Sequence, residues 1–320
     1  MGKEEILVAM PKNLEEFVAP YLERRSVDTG YRFNTIFKDE PLAEQPLSEA
    51  LATAVGYIVH IERVTENVLT AAKNLKVISK LGVGIDNIDC QSAKRMGIEV
   101  ANCPGSNSNA VAELALGLMV SMARNTHKLC NDLRDGTWSA TLGSEIRGKR
   151  IGLLGLGNVS KQLVRYLQPF ETEILVYDIY KDEAFAAEYG VKYTTLDEIA
   201  TSCDYISLHL PLLPATRHIV DKAFLDKTKK GVFILNLARG GIADEKALFE
   251  AVQSGHVAQV ATDVFEHEPP FGSPMLEDER FIVLPHIGAA TQEAIINMLE
   301  MSINNIQSVL TGKGNPHPVI

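Results

Sequence analysis

Short apolar runs alternate along this chain with longer stretches whose apolar residues recur at helical spacing. Before residue 102 the runs are Ile6–Met10, Arg32–Phe37, Val55–His60, Lys76–Leu81 and Ile98–Ala101, separated by helical patterns such as Asn13–Arg24 and Glu66–Asn74. The rhythm returns with runs at Arg150–Leu154, Glu173–Asp178, Tyr205–His209, Val232–Asn236, Ala258–Asp263 and Phe281–Leu284. Runs that are apolar at nearly every position, rather than at alternate ones, suit parallel strands covered by helices on both faces. The repeated order of strand and helix predicts an α/β protein with doubly wound parallel sheets.

The middle of the chain breaks the rhythm. Cys103-Pro104-Gly105-Ser106-Asn107-Ser108 is a first hinge candidate. Asn109–Leu129 then predicts one long helix, with Val111, Leu114, Ala115, Leu118 and Met122 on one face. Asp132–Arg147 is polar and irregular around Trp138, either an arm facing a partner in an oligomer or a solvated loop. A last helix, Thr291–Leu310, is expected to pack back on the first half and so to cross the hinge again. The expected organisation is residues 1–101 plus 291–320 as one domain and 102–290 as the other, with a cleft between them.

Arg150–Asp178 is the most informative stretch. An apolar strand leads into Gly155-Leu156-Gly157-Asn158-Val159-Ser160, and Leu163, Val164 and Leu167 then form a helical stripe that stops near Pro169. Gly155 suits the tight turn, and Gly157 lets the backbone approach a pyrophosphate at the helix N-terminus. Asp178 ends the next strand where an acid would accept hydrogen bonds from a ribose diol. The third glycine of such a turn is replaced by Ser160, which predicts looser packing of helix on strand.

Composition narrows the possibilities. The 320 residues suffice for two separate cores, and 46% hydrophobic with 22% charged residues is ordinary for a globular protein. A net charge of −10 without a dense Lys/Arg cluster argues against nucleic-acid or anionic-membrane partners. The longest apolar stretch, Leu114–Ala123, is too short to span a bilayer. Cys90, Cys103, Cys130 and Cys203 lack the spacing of a zinc site or a disulfide framework and read as buried thiols of a reducing compartment. A charged N-terminus running straight into a strand carries no signal-peptide pattern, so a soluble, cytoplasmic protein without bound metal is expected.

Ligands of parallel sheets bind beyond the carboxyl ends of the strands. In the second half those ends read His209-Leu210-Pro211, Asn236–Gly241, Asp263–Pro269 and Pro285–Thr291, so arginine, carboxylates and histidine gather on the edge that carries the glycine turn. Such a set suits hydride transfer between a nicotinamide and C2 of a 2-hydroxy or 2-oxo acid. Arg239 offers a fixed fork of donors to the acid and its carbonyl oxygen, unless it is a solvated arginine in a turn. His286 is the acid/base candidate near neutral pH, Glu268 the carboxylate that would orient and charge it, and Glu266 a rival for that place. Asp263 is a candidate for positioning the nicotinamide, while His209 and His267 read as bystanders or cofactor-wall residues.

Leu81–Asp89, Pro104–Glu113, the glycine turn, His209–Thr216, Asn236–Asp244, Asp263–Pro269 and Pro285–Thr291 together resemble the D-isomer-specific 2-hydroxyacid dehydrogenase family, in family order and over nearly the whole chain. The resemblance implies a flavodoxin-like substrate domain and a Rossmann domain binding NAD. It implies Arg239, Glu268 and His286 as the catalytic set. Substrate contacts implied are Gly82, Val83 and Gly84, whose backbone amides hold the carboxylate, with Arg239 and His286. Cofactor contacts implied are Gly155, Gly157, Asn158, Val159, Asp178, His209, Pro211, Thr216, Leu237, Ala238, Arg239, Asp263, His286, Ile287, Gly288 and Ala289. It also implies a homodimer joined through the cofactor domain, in keeping with the Asn109–Arg147 segment.

Departures from the family pattern bear on the substrate. Phosphoglycerate-type members place an arginine where this chain has His60, with Arg63 nearby, which weakens the case for a phosphorylated substrate. No regulatory domain is expected beyond Ile320, and Glu268 stands where formate dehydrogenases carry glutamine. The substrate choice therefore stays open among phosphoglycerate, hydroxypyruvate or glyoxylate, and lactate-like acids. A corepressor-like protein that senses NAD(H) is the reading from another class.

Overall fold

The computed structural model describes residues 3–319; Met1, Gly2 and Ile320, the outer ends of the first expected domain, lie outside the described residues. The chain divides into two compact units, Met1–Asn107 with Thr291–Ile320, and Ser108–Ala290.

The first unit runs β1 (Glu5–Pro11), α1 (Glu15–Thr29), β2 (Arg32–Lys38), α2 (Glu44–Leu51), β3 (Gly56–Val59), α3 (Glu66–Ala71), β4 (Val77–Lys80), α4 (Cys90–Arg95) and β5 (Glu99–Ala101). Its five strands lie in the order β2-β1-β3-β4-β5, and every pair is parallel. This is the flavodoxin arrangement, whose ligand face lies at the carboxyl ends of the strands. The residues of β1, β3 and β4 that read as continuous apolar runs do so because both faces are buried: Leu7, Tyr57 and Ile78 enter one core under α2 and α3. Asn102 and Cys103 still bond to this unit, through Asn102 N–H to His317 O and Cys103 N–H to Gly82 O. The division therefore falls at Asn107/Ser108 rather than at residue 101.

The second unit opens with α5 (Ser108–Arg124) and α6 (Thr126–Arg134). The single helix expected over Asn109–Leu129 is thus two helices, broken at Asn125, which has φ 54°. Asparagine tolerates this left-handed conformation at low cost, so an apolar stripe does not report the break. No regular structure follows over 137–149, where Trp138 is 90% exposed and Leu142 fully exposed. Then come β6 (Arg150–Leu154), α7 (Asn158–Leu167), β7 (Glu173–Tyr177), α8 (Glu183–Tyr189), β8 (Lys192–Tyr193), α9 (Leu196–Ser202), β9 (Tyr205–Leu208), α10 (Lys222–Leu225), β10 (Val232–Asn236), α11 (Glu245–Gln253), β11 (Val257–Thr262) and β12 (Phe281–Val283). The sheet has seven strands, not the six expected, in the order β12-β11-β10-β9-β6-β7-β8. The additional β8 is a two-residue edge strand on β7, too short to leave a hydrophobic pattern. The strand order reverses between β6 and β9, the position at which a Rossmann sheet opens its ligand crevice.

The chain returns to the first unit through α12 (Gln292–Leu310), capped by the Thr291 side chain on Ala294 N–H. It packs on β3, β4 and β5. Gly56 sits beneath it because any Cβ there would lie 2.8 Å from Ile306.

Candidate active site

The glycine turn lies at the crevice of the second unit. Gly155 has φ +102°, and a Cβ there would come within 3.0 Å of the His209 backbone, so both the turn and the approach of β9 require glycine. Gly157 faces open space, and no side chain caps the first N–H groups of α7, so these donors and the positive end of the helix dipole remain available to an anion. Asp178 follows β7, accepting from Leu156 N–H at 2.7 Å and from Tyr180 N–H at 2.9 Å. It thereby holds the turn while keeping further lone pairs for a diol. The looser packing expected at Ser160 does not occur: the residue is fully buried and its hydroxyl donates to Gly155 O at 2.7 Å, so the turn itself supplies the acceptor.

The other strand ends build the rest. After β10, the Asn236 side chain donates to Arg239 O at 2.8 Å and accepts from Ala238 N–H at 3.2 Å, folding 236–239 into a turn. Arg239 Nη1 donates to Ala238 O at 2.7 Å, which fixes part of the guanidinium. Asn236 is not legible as a site residue in the sequence, because nothing in a strand-end asparagine foretells a bond to its own turn. Gly240 follows; a Cβ there would lie 1.9 Å from the Phe265 carbonyl carbon, so the Arg239 turn and the loop after β11 meet backbone to backbone.

That loop carries Glu268, whose Oε1 accepts from Phe265 N–H at 3.0 Å and whose Oε2 lies 2.8 Å from His286 Nδ1. The bond to Glu268 raises the His286 pKa above 6.5, against burial, which lowers it. Burial alone would raise the Glu268 pKa, but the His286 bond and charge, the Phe265 N–H and the Arg239 charge outweigh it and leave it lowered. His286 has φ 54°, a conformation that costs of order 1 kcal/mol outside glycine. Asp263 holds it there: the fully buried carboxylate accepts Ile287 N–H and Gly288 N–H, both at 2.7 Å. The structure thus aims Asp263 at the His286 loop, and its burial raises its pKa.

Glu266, the rival acid, points elsewhere, accepting from His218 Nε2 at 3.0 Å while its own N–H reaches Glu245 Oε1 at 2.6 Å. His209 is held neutral, its pKa lowered to about 4 by burial, with Nε2 2.9 Å from Ser207 Oγ. Thr216 Oγ1 donates to Pro211 O at 2.5 Å and closes the turn after β9. Leu237 is buried and Ala238 half-buried in the Arg239 turn.

In the first unit, the loop after β4 bends at Gly82, with φ +134°. Gly82 O accepts from Cys103 N–H at 2.8 Å, and Val83 O from Asn102 Nδ2 at 2.8 Å. Asn102 likewise carries no signal in the sequence, where its partner lies 19 residues away. Of the four free cysteines, Cys103 and Cys203 are buried, but Cys90 is half-buried and Cys130 exposed. The expectation of four buried thiols fails at Cys130 because α6 is a surface helix with no buried residue. Among the described residues no cluster of His, Cys, Asp and Glu could hold a metal ion, and no helix is long and apolar enough to cross a membrane.

Comparison with known proteins agrees with this architecture. Residues 116–288 match the model of the D-isomer specific 2-hydroxyacid dehydrogenase NAD-binding domain. The chain is 43% identical over 237 residues to hydroxypyruvate reductase of Thermotoga maritima, covering 72% of this chain and 76% of that protein. It is 38% identical over 262 residues to D-3-phosphoglycerate dehydrogenase of Rattus norvegicus, 81% of this chain but 49% of the relative, so it spans about half the length of that enzyme. The crystal structure of a glyoxylate reductase from Paecilomyes thermophila superposes with a TM-score of 0.85 at 29% identity, covering 100% and 99% of the two chains.

The chain belongs to the D-isomer specific 2-hydroxyacid dehydrogenases, NAD-dependent oxidoreductases acting on the CH–OH group of 2-hydroxy acids. NAD fits the second unit on two observations: the open Gly157 with the uncapped start of α7 for the pyrophosphate, and Asp178 at the end of β7 for a ribose diol.

Proposed function

We propose that this chain is a 2-oxoacid reductase, and equally a 2-hydroxyacid dehydrogenase, in which Arg239, Glu268 and His286 act on the substrate. The observation that carries the reading is the His286–Glu268 pair, whose imidazole has a raised pKa beside the Arg239 turn. NADH, held by the second unit, would supply the hydride for reduction of substrate C2. His286 Nδ1 faces Glu268, which leaves Nε2 to donate the proton to the carbonyl oxygen and, in the reverse direction, to take it from the hydroxyl. Glu268 stabilises the imidazolium and fixes the ring. Arg239 polarises the carbonyl and offers its guanidinium to the carboxylate; in the first unit, Gly82, Val83 and Gly84 are assigned as substrate contacts. Cofactor contacts are assigned to Gly155, Gly157, Asn158, Val159, Asp178, Leu237, Ala238, Asp263 and Ile287 to Ala289, with His209, Pro211 and Thr216 lining the site.

For the substrate we favour a small unphosphorylated acid, hydroxypyruvate or glyoxylate. His60 in place of an arginine supports this, as do the names of the Thermotoga maritima and Paecilomyes thermophila proteins. The second reading is 3-phosphohydroxypyruvate, favoured by the D-3-phosphoglycerate dehydrogenase relatives. An NADH-oxidation screen over glyoxylate, hydroxypyruvate, pyruvate and 3-phosphohydroxypyruvate tests both. A preference for the phosphorylated acid overturns the first reading; tight NADH binding without turnover of any of them favours a corepressor-like sensor.

We further propose a cytoplasmic homodimer. The exposed Trp138 and Leu142 supply an apolar surface for a second copy, and four free cysteines suit a reducing compartment. Light scattering of the purified protein measures the oligomeric state.

A further inference from the structure

We propose that Asn102 is a positioning residue for the substrate: its side-chain amide holds the Val83–Gly84 peptide so that two successive backbone N–H groups form a cradle for the carboxylate. The inference rests on the 2-oxo acid reading above and adds to it the residue that sets the cradle's orientation.

A trans peptide points its C=O and its N–H in opposite directions. The Gly82 carbonyl is held by Cys103 N–H and the Val83 carbonyl by Asn102 Nδ2, each at 2.8 Å. Both carbonyls are therefore turned toward the Asn102–Cys103 segment. The N–H groups of Val83 and Gly84 belong to the same two peptides and are turned away from it. Among the described residues neither donates to a backbone carbonyl. Two neighbouring amides aimed the same way make an anion-binding concavity. Gly82 at φ +134° supplies the bend that brings both carbonyls to one side, a conformation open to glycine.

Asn102 is itself firmly held. Its N–H donates to His317 O at 3.3 Å, and its carbonyl accepts from Asn305 Nδ2 at 2.9 Å. Asn305 is fully buried on α12 and its Oδ1 lies 2.8 Å from His317 Nδ1. The last helix thus fixes the residue that fixes the loop. Val83 is 44% exposed, so water replaces a lost donor to its carbonyl and the fold survives the loss, while the orientation of the peptide does not.

Two variants and one spectrum test this. Asn102→Ala removes the donor; Asn102→Asp keeps the shape but sets a carboxylate against the Val83 carbonyl. Expected is a rise in KM for the best 2-oxo acid of about tenfold, which is about 1.4 kcal/mol, in the first variant and more in the second. The kcat changes little, and NADH affinity and melting temperature stay near wild type. In wild-type protein labelled with 15N at valine and glycine, oxalate is expected to shift the Val83 and Gly84 amide resonances, and in Asn102→Asp to leave them unmoved. An unchanged KM in either folded variant, an equal loss of NADH affinity, or unmoved wild-type resonances would each overturn the proposal. Shifted resonances in a wild-type protein that reduces no 2-oxo acid would keep the cradle and refute the dehydrogenase reading.

Discussion

His286 Nδ1 and Glu268 Oε2 lie 2.8 Å apart although their loops follow different strands, β12 and β11. The contact exists because each loop is tied from behind. Asp263 binds two backbone N–H groups of the histidine's loop, and the Phe265 N–H binds the other oxygen of Glu268. The pair is thereby held by the protein's own backbone, the preorganisation that the acid/base role proposed for it requires.

Replacing His286 by alanine should lower kcat for 2-oxo acid reduction about 10²- to 10⁴-fold, the usual worth of a positioned acid/base. NADH affinity, measured by fluorescence titration, should change little. Wild-type turnover in this variant would remove His286 from the mechanism.

The Glu268 carboxylate raises the His286 pKa, so its loss lowers it. In the proposed role of His286, reduction uses the protonated imidazole and is expected to fall as pH rises through that pKa. In Glu268→Gln the falling limb of kcat/KM should therefore move to lower pH, and the rising limb of the oxidation reaction should move with it. Stability depends on the same pair. The raised His286 contributes fully below its unfolded pKa, and its contribution is lost as pH rises through the folded value. The lowered Glu268 contributes above its unfolded pKa and loses that as pH falls through the folded value. The difference in melting temperature between wild type and Glu268→Gln should thus be largest between the two pKa values. A limb that stays in place shows that Glu268 does not charge the histidine.

Arg239→Lys keeps the charge but not the planar fork, of which one nitrogen already donates to Ala238 O. The expected outcome is a fall in kcat/KM for the acid of about tenfold or more, the worth of one charge-assisted hydrogen bond of about 1.5–3 kcal/mol. NADH affinity is again the control, and steady-state kinetics decide.

Asp178 should make the protein prefer NADH, since its carboxylate repels a 2′-phosphate at the position of the diol. The ratio of KM values for NADPH and NADH measures this directly, and Asp178→Ser should reduce it. An NADPH preference in the wild type would contradict the role.

Gly240→Ala should damage activity and fold together. A Cβ 1.9 Å from the Phe265 carbonyl carbon meets backbone, which yields less than a flexible side chain does. A loss of about 1–3 kcal/mol is expected, measured by urea unfolding, with loss of turnover as the Arg239 turn leaves the Glu268 loop.

Much of this protein is written along its chain. Continuous apolar runs separated by helical stripes specify parallel strands buried on both faces, because that burial is a property of each segment alone. The glycine turn, Asp178 and the strand-end Arg239, Glu268 and His286 are legible for the same reason: each is a local choice of residue at the end of a local element. Features set by long-range contact are not legible in this way. The choice between Glu266 and Glu268 depends on which side chain β12 approaches, and only the latter meets His286. The break at Asn125 and the edge strand β8 leave no hydrophobic signature. Ser160 reads as a defect until its hydroxyl finds Gly155 O within the same turn. Asn102 reaches Val83 only once β4 and β5 are paired. The sequence thus determined the elements and the chemical inventory, while tertiary structure decided which groups meet, because hydrogen bonds between loops depend on how the strands beneath them are ordered.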